Sequence, residues 1–375
     1  MTSLRTPYYL IDERRLVANL EVIRRVREAS GARSVLALKC FATWSTFELM
    51  RPYLDGTTSS SLFEARLGHE EFGKEVHAYA VAFTPDEVQA VNAFADKVIF
   101  NSVSQLARLA GLVDGPSLGL RVNPGVSHSH YDLADPARRY SRLGVVDDAQ
   151  LRAVAPRVRG LMFHFNCEND DLDALTAAVE ALSARYSDVL EAMDWVSLGG
   201  GIAFTAADYP VDELCAVLRQ LRDRFGVQVY LEPGEAAITS SAELVTTVLD
   251  VVHNEVDVAI VDASVEGHMP DHLIYATSPQ LAAPAPGAHR TMVAGRTCLA
   301  GDVFGEYHLR APLHVGDEVR FADAAGYTMV KSSWFNGLPR PSIVVRRLDG
   351  SIETVRVFGY EDFKASLGSD DRSGS

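Results

Sequence analysis

The stretch VLALKCFATW, residues 35–44, runs apolar for four residues, places Lys39, and returns to Cys40, Phe41 and Ala42. It reads as a buried strand interrupted by an ammonium. A buried lysine must find a partner, lose its proton or be converted into something else, because desolvation disfavours the charged form. Comparable β-rich runs recur along the chain: TTSS (57–60), HAYAVA (77–82), KVIF (97–100), LGLRV (118–122), RGLMFHF (159–165), WVSL (195–198) and VYLE (229–232). Between them lie segments with apolar residues at three- and four-residue spacing, among them LFEARLGHEEFG, LDALTAAVEALSARY and VDELCAVLRQLRDRF. Alternating strand and helix implies parallel pairing, and eight such units in about 220 residues is the count of a (β/α)8 TIM-like barrel. An open doubly wound sheet is the alternative.

A helix-like segment from about residue 12 to 28 precedes the first run, and the barrel is expected over residues 13–240. Beyond it the pattern changes to AELVTTVLDVV, VDVAIVDAS, HRTMVAG, DEVRFADA, PSIVVRRLDG and IETVRVFG, strands punctuated by Gly, Asp and Pro. These predict a mostly antiparallel β domain over residues 241–365, which the strand-like TPYYLI within residues 1–12 could join. The polar, small-residue end GSDDRSGS predicts a disordered tail over residues 366–375.

With 375 residues, 47% of them hydrophobic, the chain suits one large domain plus a smaller one. Its N-terminus shows no basic segment followed by an apolar run, and no stretch approaches the roughly 18 apolar residues of a membrane span, so a cytoplasmic protein without membrane contact is expected. The four cysteines, 40, 167, 215 and 298, lack CxxC spacing and read as reduced thiols. A net charge of −15 disfavours nucleic acid and would attract a polycationic small molecule. His128 and His130, or His268 and His272, lie in loop-like stretches without a carboxylate set to fix geometry, so no metal is expected.

Active sites of such barrels gather at the C-terminal ends of the strands. There Lys39 ends the first strand and His164 the sixth; Gly199, Gly200 and Gly201 of SLGGG follow the seventh, and Glu232 of LEPGEA closes the eighth. Each type has a use if the ligand is pyridoxal 5'-phosphate. The amine of Lys39 can condense with the cofactor's aldehyde, which removes the difficulty of its burial. The glycines let backbone N–H groups approach a phosphate, Glu232 can keep the pyridine nitrogen protonated, and His164 can lie flat on the ring. Taken singly, each has an ordinary reading: a solvated strand-end lysine, a satisfied core histidine, a flexible turn, a turn carboxylate. Their coincidence on one rim favours the cofactor. Arg121 of LRVNPG also falls at a strand end, where it could orient Glu232 or His164 or form a salt bridge within the rim.

On the motifs TPYYLIDERRLVANL, LALKCFA, LRVNPG, YSRLG, HFNCEN, LGGGI, EPGEA, CLAGD and YTMVKSSWFNG, the sequence resembles the fold type III pyridoxal-phosphate decarboxylases. These are the alanine-racemase-like barrels that include the ornithine, diaminopimelate and carboxynorspermidine enzymes. LKCFA, HFNCEN, EPGEA, HMPDH and SSWFNG bring it nearest the branch acting on carboxynorspermidine and carboxyspermidine. The resemblance implies that Lys39 bears the cofactor, His164 stacks on it and Glu232 meets its pyridine nitrogen, with Gly200, Gly201 and Tyr327 at the phosphate. It also implies that Cys298 protonates the substrate α-carbon from the other subunit of a homodimer, so that a monomer would be inactive.

Two departures from the relatives matter. Ornithine and diaminopimelate decarboxylases usually carry Arg after EPG, where this chain has Glu235. A glutamate there inverts the preference from an anion toward an amine, and the resemblance pairs it with Asp271 of HMPD as the substrate-binding carboxylates. HFNCEN places Cys167 where several relatives have a phosphate-binding Ser, which puts that contact in doubt. Asp302 of CLAGD could assist at the substrate's distal end or act as a structural cap. The rival readings are a decarboxylase of a simpler basic amino acid (ornithine, lysine or diaminopimelate), a racemase, a non-catalytic carrier of the cofactor, and a sugar-phosphate barrel.

Overall fold

Eight parallel strands close on themselves as a barrel: Arg33–Ala37, Gly56–Ser59, Glu75–Tyr79, Lys97–Phe100, Ser117–Val122, Gly160–Phe163, Trp195–Ser197 and Gln228–Leu231. The computed structural model describes residues 4–283 and 286–369. One compact unit holds the barrel, Val17–Ala237; the other joins the described residues up to Leu16 to those from Ile238 onward. The closed barrel removes the open-sheet alternative. Its strands stop earlier than the apolar runs suggest. They end at Ala37, Phe163 and Leu231, so Lys39, His164 and Glu232 stand one or two residues beyond, in the turns. The apolar residues continue past the last ladder bond because the rim itself is packed: Leu38, Phe165 and Pro233 are buried.

The inward faces of the strands fill the barrel with Val35, Tyr79, Ile99, Met162, Trp195 and Tyr230. The Trp195 indole fits because strands five and six present Gly119 and Gly160 to it; a Cβ there would lie 2.5 Å and 2.1 Å from its ring. Near the strand starts the filling is ionic. Lys97, buried, pairs with Glu75 and donates to the Tyr230 hydroxyl at 3.1 Å. Tyr230 in turn donates to Glu75 at 2.8 Å, Arg33 reaches the same carboxylate at 3.1 Å, and His77 Nε2 lies 3.3 Å from it. The Lys97 ammonium also sits 4.5 Å above the Tyr230 ring.

Outside the barrel, Val211–Phe225 turns Val211, Leu214, Cys215, Leu218, Leu221 and Phe225 inward at three- and four-residue spacing. Pro85–Asn92 starts at a capping box between Thr84 and Glu87.

The second unit is built on a sheet ordered Val303–Leu309, Pro286–Ala294, Val256–Val261, Ala242–Asn254, Tyr8–Asp12, Ser342–Arg346, Ile352–Arg356, with Glu318–Phe321 also pairing with Ala242–Asn254. Most neighbours run antiparallel; the parallel pairs are Tyr8–Asp12 with Ser342–Arg346 and Val256–Val261 with Pro286–Ala294. Val303–Leu309, VFGEYHL, is a strand that its polar, glycine-containing sequence does not announce. Part of the expected tail is ordered as well. The helix Tyr360–Leu367 includes residues 366 and 367, because the Asp362 side chain accepts the Gly359 N–H at 2.9 Å and receives Arg356. Residues 370–375 lie outside the described residues. Among the described residues no helix is long and apolar enough to cross a membrane.

Candidate active site

One small pocket at the rim is lined by Lys39, Arg121, His164 and Glu232, with Ala37, Thr58, Ser59, Ser60, Tyr79 and Met162. The four charged or titratable residues expected at separate strand ends therefore meet. Lys39 Nζ lies 3.5 Å from His164 Nε2. The other ring nitrogen, Nδ1, accepts the Gly200 N–H at 3.1 Å, so a neutral imidazole carries its proton on Nε2 and points it at the lysine. An amine receiving that proton must offer a lone pair. The electrostatics agree: burial, and next the Arg121 guanidinium, hold the Lys39 pKa below its ordinary value against the pull of Glu232. Burial, with Lys39 and Arg121 behind it, holds His164 well below the usual imidazole range.

The glycine turn is shaped by what it touches. Gly199 has φ +73°, and a Cβ there would sit 2.4 Å from His164 Nδ1; a Cβ on Gly200 would sit 2.2 Å from the Glu232 carbonyl oxygen. Only glycine lets the turn pass between His164 and the eighth strand. Glu232 is buried, and its Oε1 accepts from Ser197 Oγ at 2.6 Å. Ser197 also accepts the Gly199 N–H at 3.1 Å, tying carboxylate and turn together.

Arg121 makes no ion pair with Glu232. It donates to the Tyr79 hydroxyl at 2.8 Å and to the His164 carbonyl at 3.5 Å, and Tyr79 donates to Asn101 at 2.9 Å. The salt bridge weighed for it is replaced by a phenol, which lies on the inward face of the third strand. Tyr79 and Ser197 were not singled out from sequence. The signal was available in their period-two placement, two residues beyond His77 and Trp195 on inward faces.

Glu235 opens the short helix Glu235–Ile238, and its Oε1 lies 3.7 Å from the Cys40 thiol, beside Lys39 in sequence. Cys167 stands in the short strand Asn166–Cys167, paired with His128–Ser129. Burial, then Glu168, push its thiol pKa up, against a hydrogen bond with Ser129. It is a protonated thiol rather than a thiolate.

The remaining candidates belong to the second unit. Cys298 is exposed, and its N–H donates to Asn336 Oδ1 of SSWFNG at 2.7 Å. Asp302 is buried and accepts from Ser264 Oγ (3.1 Å), Val265 N (2.8 Å), Thr297 N (3.0 Å) and Thr297 Oγ1 (2.6 Å). Four hydrogen bonds engage its oxygens, so the expected substrate contact gives way to the structural one: Asp302 ties the turn bearing Cys298 to the start of Val265–His268. Asp271 stands in the first turn of Pro270–Ile274 and pairs with Lys331. Tyr327 has φ +49°, a left-handed backbone uncommon for a non-glycine residue.

The rim fits pyridoxal phosphate on its own chemistry: an amine with a lowered pKa, an imidazole of fixed tautomer, a buried carboxylate engaged by one hydroxyl, and a turn that any side chain would block.

Comparison with known proteins points the same way. A family model described as pyridoxal-dependent decarboxylase, C-terminal sheet domain, matches residues 9–325. A carboxynorspermidine/carboxyspermidine decarboxylase of Herminiimonas arsenicoxydans is 49% identical over 362 residues, 96% of this chain and 99% of that protein. A carboxyaminopropylagmatine decarboxylase of Synechocystis is 36% identical over 376 residues, 98% of this chain and 97% of that protein. Among solved structures, carboxynorspermidine decarboxylase complexed with norspermidine, from Campylobacter jejuni, superposes with a TM-score of 0.87 at 34% identity, covering 97% of this chain and 100% of that one.

Proposed function

Because the chain belongs to the pyridoxal-dependent decarboxylases with a C-terminal sheet domain, carboxy-lyases that work with pyridoxal 5'-phosphate, we propose that it decarboxylates carboxynorspermidine and carboxyspermidine, releasing norspermidine and spermidine in polyamine biosynthesis. The observation that carries this reading is the one pocket shared by Lys39, His164, Arg121 and Glu232, with Glu235 a turn away where an arginine would suit an anionic substrate end. The full-length similarity to relatives of that name supports it.

Bound at the rim, pyridoxal phosphate supplies a protonated pyridine ring that accepts the electron pair left when carbon dioxide departs. Lys39 would hold it covalently through its amine. Glu232, held by Ser197, keeps the pyridine nitrogen protonated. His164, neutral and pinned by Gly200, offers a flat uncharged face to the ring. Gly200, Gly201 and Tyr327 hold the phosphate. Glu235 and Asp271 read the ammonium groups of the substrate, and Cys298 returns a proton to its α-carbon.

The deciding experiment is a decarboxylation assay on the cofactor-loaded protein, offering carboxynorspermidine, carboxyspermidine, ornithine, lysine and diaminopimelate separately, with products identified by mass. Turnover of the carboxylated polyamines alone is expected; turnover of a simple diamino acid instead would overturn the substrate assignment. Similarity to the Synechocystis enzyme makes carboxyaminopropylagmatine a further substrate to offer. The two carboxylated triamines differ by one methylene, worth about 1–3 kcal/mol of discrimination, so both are expected to react.

An ammonium about 4 Å from a carboxylate is attracted by roughly 4 kcal/mol at an effective dielectric of about 20, before desolvation is subtracted. Glu235→Gln is therefore expected to lower kcat/KM by about two to three decades, at about 1.4 kcal/mol per decade, while the absorbance of the lysine-bound cofactor persists. Equal activity in the variant would remove Glu235 from the substrate site.

The exposure of Cys298 supports a two-fold dimer in which each subunit lends this thiol to the other's site. Lys39→Ala and Cys298→Ala subunits, inactive separately, are expected on mixing to regain about a quarter of wild-type activity, since random pairing makes half the dimers hybrids with one intact site each. No recovery in proven hybrids would sink the shared site. The scattered free thiols at 40, 167, 215 and 298 support a cytoplasmic reaction.

A further inference from the structure

Asp271, read above as a carboxylate that receives a substrate ammonium, already holds one. Lys331 Nζ pairs with its Oδ1. The same ammonium lies 4.9 Å above the ring of Tyr327, so it has a second seat within reach. The segment that carries it is firmly held: Lys331 N–H donates to the Thr328 carbonyl at 2.9 Å, and buried Thr328 donates through Oγ1 to the carbonyls of Ala324 (2.7 Å) and Ala325 (3.2 Å). The backbone of this turn is anchored, and the lysine's four-carbon stem is what can move. Lys331 and Asp271 side chains are 37% and 27% exposed, so an incoming cation can reach the pair.

We propose that Lys331 sets the affinity of the Asp271 site, as a tethered cation that occupies the carboxylate and yields it only to a ligand bringing an ammonium of its own to that place. The inference rests on the reading of Asp271 as an ammonium site. A bare carboxylate would collect any passing cation and reward a ligand merely for being positive. With Lys331 in place, the carboxylate starts neutralised, and a ligand gains only the difference between its own ion pair and the internal one. Displaced, the lysine retains its position over Tyr327, so its charge need not return fully to water.

The cost of such a device is affinity. If Lys331 fills the carboxylate about nine-tenths of the time, the apparent affinity of the competing ammonium is lowered about tenfold. Calorimetric titration of the cofactor-loaded enzyme with norspermidine tests this in Lys331→Gln, Lys331→Met and Asp271→Asn, alongside steady-state kinetics with carboxynorspermidine. Both Lys331 variants are expected to bind norspermidine about five- to tenfold more tightly and to lower KM by a similar factor at unchanged kcat, consistent with removing that occupancy penalty. Methionine and glutamine differ in polarity but both lack the charge, so a shared result comes from the charge. In an Asp271→Asn background the gain is expected to vanish. Unchanged or weaker norspermidine binding in both Lys331 variants, with Asp271→Asn still losing affinity, would overturn the tethered-cation role alone. Undiminished binding by Asp271→Asn would overturn the underlying assignment of Asp271.

Discussion

Lys39→Ala is expected to lower kcat by about four to six decades, on the scale of losing an enzyme's covalent nucleophile, and to abolish the long-wavelength absorbance of the lysine-bound cofactor. The expectation rests on the company the amine keeps. Burial and the Arg121 guanidinium press its pKa down, and the proton on His164 Nε2 is directed at it. Both favour a neutral amine, the form that attacks a carbonyl carbon. Lys39→Arg is expected to rescue nothing, because a guanidinium stays charged and cannot supply a lone pair. The lowered pKa also gives a sign for the pH dependence of cofactor capture: the cofactor-free protein is expected to take up pyridoxal phosphate more slowly as the pH falls and the Lys39 amine becomes charged. A Lys39→Ala protein within tenfold of wild-type kcat would show that the reaction does not pass through this residue.

Glu75→Gln is expected to destabilise the protein by about 3–5 kcal/mol, the range for leaving a buried charge without its partner. The substitution keeps the shape of the side chain but strips Lys97, 7% exposed, of the only carboxylate paired with it among the described residues. The amide keeps one acceptor oxygen where the carboxylate offered two, so Arg33, Tyr230 and Lys97 compete for it. Adding Lys97→Met removes the stranded ammonium, so the double variant is expected to recover most of the loss, a coupling that a double-mutant cycle measures. The effect has a direction in pH. Burial alone would raise the Glu75 pKa, but hydrogen bonds from His77 and Lys97 more than reverse it and hold the carboxyl well below its ordinary value of 4.5. A carboxylate depressed in the folded state stabilises fully above the unfolded value and loses that contribution as the pH falls toward the folded one. The gap between wild type and Glu75→Gln in denaturant unfolding should therefore close on acidification below about 4.5. Variants equal in stability at neutral pH would mean that solvent, not Glu75, compensates Lys97.

The contrast between these two residues shows what was legible in the sequence. Lys39 stands out because it interrupts an apolar run, and the barrel could be counted because eight β-rich runs alternate with amphipathic helices. Glu75 and Lys97 begin their strands next to loop residues, where a charge looks solvated; only closure of the barrel turns them toward each other. Tyr79 and Ser197 were hidden differently, since a tyrosine and a serine inside strands look like ordinary filling until Arg121 and Glu232 are seen to bond to them. Asp302 was ambiguous because an acidic residue after a glycine serves a cap and a ligand site equally well in sequence, and four donors decide between them. Val303–Leu309 escaped notice because it is half-exposed and owes its conformation to the strand Pro286–Ala294 beside it rather than to its own alternation.

The strand Tyr8–Asp12 lies between Ala242–Asn254 and Ser342–Arg346 in the middle of its sheet. Synthesis on the ribosome runs from the N-terminus, so YYLID is made before the barrel; it meets its first neighbour, Ala242–Asn254, only once the barrel has followed, and its second, Ser342–Arg346, about ninety residues later still. The barrel, continuous in sequence, can collapse while translation is still under way. The sheet cannot: its central ribbon precedes the barrel in sequence and pairs with strands that follow it, which gives its assembly a high contact order. Until then the strand keeps two open edges, the pairing hazard that a completed sheet removes.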